Sequence, residues 1–175
     1  APPPMPLRSK QRGFAILVWV LMIAALIGLI GSAMLRGPDL GGALIANQFV
    51  AGLNTQAAVI RTRILSCATD YPQGNNQTAY NPRYPAALTA VAVSTLICPG
   101  TTQALWNNAD GITLPPRLSG LSDWAYVNDA TSLRISISAT AAERVPLLSN
   151  AAQQLGPQAT VVDSTLTWTL AVTNP

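Results

Sequence analysis

The sequence predicts an α+β fold in which a long N-terminal helix lies on a small antiparallel sheet. Three observations predict it. Residues 14–35 read FAILVWVLMIAALIGLIGSAML, without a charge or a proline. Beyond them Ile45, Phe49, Leu53, Ala57, Ile60 and Ile64 recur at steps of four or three, the spacing of one helix face. Near the end, Leu133, Ile135 and Ile137 alternate with Arg134, Ser136 and Ser138, while Leu166, Trp168, Leu170 and Val172 alternate with Thr165, Thr167, Thr169 and Ala171. Such alternation marks strands with one apolar and one polar face.

The first element is the apolar run. At 1.5 Å per residue its 22 residues make a helix about 33 Å long, enough for a hydrocarbon core of about 30 Å. Arg8, Lys10 and Arg12 precede it with no acid, and the nearest charges after it are Arg36 and Asp39. The positive-inside rule leaves the N-terminus in the cytoplasm and sends residues 37–175 across the membrane. The rival is a cleaved secretory signal with Gly31-Ser32-Ala33 as its cleavage site. Such signals have apolar cores of about 7–15 residues, shorter than this run. Within the run Ala24, Gly28 and Ser32 recur every four residues. That spacing lets helices approach closely in lipid, although small residues are also simply frequent in membrane helices.

The flank of this run carries a resemblance. A short basic leader ending in glycine, then phenylalanine opening an apolar helix (QRGFAILV), resembles a type IV prepilin or pseudopilin. The resemblance covers about 35 residues and, more loosely, the plan of the rest. It implies that a membrane-bound prepilin peptidase cuts between Gly13 and Phe14 and N-methylates Phe14. It also implies a type IV pilin-like fold and partners that are other pilin or pseudopilin subunits, met through the N-terminal helix. Most members carry glutamate at the fifth mature position, where this chain has Val18. In the family that carboxylate is thought to meet the amino terminus of a neighbouring subunit. The chain is therefore similar to the glutamate-less minor pilins and K-type pseudopilins proposed to sit at filament tips, though it is much shorter than K-type proteins.

The division that follows is a leader over 1–13, a transmembrane helix over 14–35, the amphipathic half of the stalk over 36–66, and an exported α+β domain over 67–175. The expected location is the bacterial inner membrane, with the C-terminal domain periplasmic, and then a pilus or pseudopilus. The formal charge of +3 comes from the leader, since six arginines face seven acids beyond Arg36. No basic stripe remains to bind nucleic acid. Arg36-Gly37-Pro38 and Gly41-Gly42 predict a kink or a melted turn. The amphipathic half is expected to end near Leu65.

Cys67 and Cys98 are the two cysteines, both on the exported side. They read as a disulfide, with paired free thiols as the alternative. Between them Tyr-Pro, Asn-Pro and Gly-Asn-Asn mark turns. Asn76-Gln77-Thr78 matches a glycosylation sequon, of little weight in a bacterial-looking protein. Residues 86–97 suit either a short helix or a strand. Residues 124–127 read as a third strand, and 145–155 as a helix with Pro146 in its first turn and Gly156-Pro157 as its stop.

Catalysis finds little footing. The chain has no histidine, and its sole lysine, Lys10, lies in the leader, which removes the Ser-His-Asp, Cys-His and Ser-Lys arrangements. GPDLGGA lacks the ending of a phosphate loop. A two-cysteine metal site would need histidine or more thiols. Asp110, Asp123 and Asp129 suggest calcium only by proximity, without the spacing of a loop site, and read better as turn aspartates. Trp106 and Trp124 suit either a binding surface or the core. No enzyme, cofactor or metal is expected. The expected function is that of a minor pilin or pseudopilin, a structural subunit of a type IV pilus, type II secretion or related filament. The alternative is a single-pass anchored periplasmic binding or envelope protein that keeps its N-terminus.

Overall fold

Helix α1 runs from Pro38 to Asp70. The computed structural model describes residues 38–107 and 110–172, and the transmembrane span expected over 14–35 lies outside them. Gly41 and Gly42 are helical, so no turn melts at that pair, while the Arg36-Gly37 part of the expected kink or melted turn lies outside the described residues. Two glycines weaken a helix by about 2 kcal/mol relative to alanine, a cost that cooperative neighbouring turns and packing further along can absorb. The expected end near Leu65 is also corrected. Ile60, Ile64 and Cys67 continue one buried face, so packing carries the helix on to Asp70. Tyr71 N–H still donates to Cys67 O at 2.8 Å, and Pro72, with no N–H, follows.

Two compact units divide the chain between Ile45 and Ala46. The described part of the first is the opening of α1, where Leu44 and Ile45 are exposed. The second holds a five-stranded sheet: β1 (Ala87–Ala92), β2 (Ala125–Asn128), β3 (Ser132–Ser138), β4 (Ala159–Val162) and β5 (Thr165–Val172). Helix α2 (Val145–Leu155) joins β3 to β4. The spatial order is β1-β2-β3-β5-β4, and every neighbouring pair is antiparallel. This is an α+β architecture.

The alternating pattern becomes a register. Leu133, Ile135 and Ile137 are buried while their neighbours in β3 are half-exposed. Ile135 faces Trp168, and Ile137 faces Leu166 across the β3–β5 pair. Leu53, Ala57, Ile60 and Ile64 of α1 and Leu148, Ala151 and Ala152 of α2 join them in one core. Fully burying a leucine or isoleucine stabilises by roughly 1.5–3 kcal/mol, so this contiguous cluster is the main support of the domain. Arg61 lies over the Trp168 ring at 5.6 Å, and Asn54 Nδ2 donates to Gln154 Oε1 at 2.7 Å, tying α1 to β5 and to α2.

Residues 86–97 resolve as strand β1 followed by a 3-10 turn over Val93–Thr95. The third strand begins one residue later than expected, at Ala125, and Trp124 O still accepts Val93 N–H at 2.9 Å beyond the β1–β2 pairs. Helix α2 spans the expected residues, closed by Gly156 at φ 92°, a conformation that suits glycine. Strand β4 is an addition. It forms a hairpin with β5 in which Val162 faces Thr165 across Asp163-Ser164, with Asp163 at φ 54°.

Candidate functional site

The helix–sheet junction gathers several of the polar side chains that the domain commits. Gln56 lies on the buried face of α1 and is 7% exposed. Its Nε2 donates to Pro116 O at 2.7 Å, and its Oε1 accepts the Trp124 indole N–H at 3.1 Å. One amide thus satisfies both the proline-rich 114–117 segment and a buried tryptophan. The Trp106 indole N–H donates to Val93 O at 2.8 Å. Both tryptophans are therefore structural, with Trp124 in the core and Trp106 packed against it.

Further along α1, Arg63 Nε donates to Leu105 O at 3.2 Å, and the same guanidinium pairs with Asp110. The Ile112 N–H and then Arg63 hold the Asp110 carboxyl below its ordinary range. Beside this contact Cys67 and Cys98 form a disulfide with Cα atoms 5.4 Å apart. It joins the last turns of α1 to the chain that follows β1. Arg144 places its guanidinium 4.6 Å from the centre of the Phe49 ring. Its side chain also fills the space where a Cβ on Gly120 would stand, 2.9 Å away.

A second cluster fixes the loop between α1 and β1. Asn128 is fully buried at the end of β2. Its Oδ1 accepts Asn81 N–H at 3.1 Å, and its Nδ2 donates to Asn81 O at 3.0 Å and Pro85 O at 2.9 Å. The Tyr126 hydroxyl donates to Pro85 O at 3.1 Å, and burial pushes its pKa up. The amide acts as a piece of backbone, pairing with a chain that has no ladder of its own.

An apolar groove of about 550 Å³ lies beside α1, between Ile112 and Ala58, Val59 and Thr62. Its one cation, Arg63, is already committed to Leu105 and Asp110. The groove therefore lacks the convergent polar groups that orient a small ligand. Among the described residues no three of His, Cys, Asp or Glu converge. Asp110 and Asp129 each hold an arginine.

Of the residues singled out in the sequence, Cys67 and Cys98 come together. Gly13, Phe14, Val18, Ala24, Gly28 and Ser32 lie outside the described residues. By length and composition the Gly41–Asp70 stretch of α1 can cross a membrane. Its later face at Leu53, Ala57, Ile60 and Ile64 is buried in the domain core, while Leu44 and Ile45 near its start are exposed. Gln56, Arg63, Asn128 and Arg144 were not anticipated. Gln56 was open to notice, since it stands three residues after Leu53 and four before Ile60 on the apolar face of α1. Asn128 falls two residues after Tyr126, on the same strand face. Comparison with protein-family models, with curated proteins and with solved structures finds no match to this chain.

Proposed function

We propose that this chain is a minor pilin or pseudopilin, a structural subunit that enters a type IV pilus, type II secretion or related filament from the inner membrane. The observation that carries the reading is the junction QRGF at Gly13–Phe14, opening 22 uncharged residues. The long helix supports it, because α1 lays its C-terminal half on an antiparallel sheet. In this reading residues 14–35 anchor the subunit in the membrane and then bundle with other subunits through Ala24, Gly28 and Ser32. Val18, which cannot offer a carboxylate to a neighbour's amino terminus, favours a position at the filament tip. Prepilin peptidase trims the chain after Gly13. Gly13→Ala or a bulkier change blocks that trimming, so on a gel the protein from its own host keeps the mobility of the uncut chain. Mobility equal to the unsubstituted protein would count against the proposal.

Val18 also favours a second reading, a single-pass anchored envelope protein that is never trimmed. The two separate on whether residues 8–13 persist in the protein from its host.

A further inference from the structure

The loop between α1 and β1 is unlike the rest of the surface in composition. Residues 71–84 hold three of the chain's four tyrosines, together with Asn75, Asn76, Asn81, Gln73 and Gln77. From Tyr71 to Pro82 there is no charge. The large hydrophobics exposed in the domain all lie elsewhere.

The loop is also held in one shape. Its base is closed by the Cys67–Cys98 disulfide on one side and by the Asn128 clamp on Asn81 and Pro85 on the other. Across the loop Gly74, at φ +64°, approaches the backbone of Pro82 so closely that a Cβ would stand 2.4 Å from Pro82 O. Asn76 sits at φ 61°, a left-handed conformation that only a few residue types adopt readily. Asn75 Nδ2 donates to the Tyr80 hydroxyl at 2.7 Å, and Asn75 Oδ1 accepts Gln77 N–H. Gln73, Asn76, Gln77 and Thr78 remain exposed at the tip, with the Tyr80 ring half-exposed beside them.

Rigid aromatic rings among short amides and hydroxyls, presented on a fixed frame, make a polar contact surface with little ordering left to do on binding. The chemistry of the tip narrows its ligand. The tip carries no cation, and the one in the loop, Arg83, is a single exposed charge beyond Pro82, a weak means of holding phosphate or sulfate. Its one ring is the half-exposed Tyr80, and no large aliphatic side chain stands exposed beside it to build the packed centre of a protein hot spot. Amides and hydroxyls both donate and accept, as sugar hydroxyls do, and a tyrosine ring offers an apolar face with a polar edge. We infer that the tip of this loop, at Asn76, Gln77 and Tyr80, is a binding surface for neutral carbohydrate. The inference uses the loop alone and stands whether or not the chain assembles into a filament.

The test is binding of the labelled full chain, in detergent micelles, to an array carrying neutral and acidic glycans. Neutral glycans should be retained. Tyr80→Ala and Gln77→Ala should each weaken that retention at least tenfold, while Thr160→Ala in β4 leaves it unchanged. Gln77 bonds through its backbone N–H, so its substitution keeps the test sound should loss of the Tyr80 hydroxyl disturb the loop. Retention of acidic glycans alone, of none, or undiminished retention by both variants would overturn the assignment. So would self-association, seen by sedimentation, that both variants abolish, since the loop would then be a protein interface.

Discussion

Asp129 shows how one side chain sets a hairpin. Its Oδ1 accepts Thr131 N–H at 2.8 Å, the Thr131 hydroxyl at 2.7 Å and Ser132 N–H at 2.9 Å, and its Oδ2 pairs with Arg134. The Thr131 hydroxyl, then the Thr131 and Ser132 amides, then Arg134 lower its pKa from 3.8 to about 2. The unfolded chain therefore takes up the proton first as pH falls. The stabilisation is complete above about pH 4–5 and is lost as pH approaches 2. Asp129→Asn should flatten the fall in urea midpoint between pH 5 and pH 2.5, and an unchanged fall would show that this carboxylate does not set the acid limb. Asn128 makes a stricter demand, because its side chain is fully buried and its amide meets three backbone groups, of which Asn81 N–H has Asn128 Oδ1 as its partner. Asn128→Ala should cost roughly 2–4 kcal/mol, the cost of leaving buried polar groups unpaired. Faster amide exchange at Asn81 and a lower melting temperature would register it.

At the scale of elements, the disulfide and the packed face of α1 act on the same helix end. Closing a loop of 31 residues stabilises by about 3–4 kcal/mol in the chain-entropy model. The double change Cys67→Ser, Cys98→Ser should lower unfolding stability by about that amount in urea titrations. Adding reductant should then leave the variant unaffected while destabilising the parent. The elements best read from sequence were those whose pattern is also their packing. The alternation at Leu133, Ile135 and Ile137 became β3, the alternation at Leu166 and Leu170 became β5, and Pro146 and Gly156 bracketed α2. Strand β4 was hidden because its four residues show only alternating half-burial and draw their partners from β5. Helix α1 outran its expected end because Cys67 extends the buried face, a fact that only the third dimension supplies. The loop clamp was hidden for a related reason, since Asn128 meets Asn81 across 47 positions of chain.

For the whole molecule, the compact unit from Ala46 onward contains the core, the disulfide and both polar clusters. A chain lacking residues 1–45 should therefore still melt cooperatively and keep Cys67 bonded to Cys98, as circular dichroism and a thiol assay would show. Loss of a cooperative transition would mean that the first unit contributes to the domain's stability. The central claim concerns that first unit: the proposal that its uncharged run, opening at Phe14, delivers the domain into a filament. The most direct measurement is the intact mass, with N-terminal sequencing, of the protein isolated from its own host. The account predicts a chain that begins at N-methylated Phe14. A chain that retains residues 8–13 would contradict it and would make the untrimmed, membrane-anchored envelope protein the better reading.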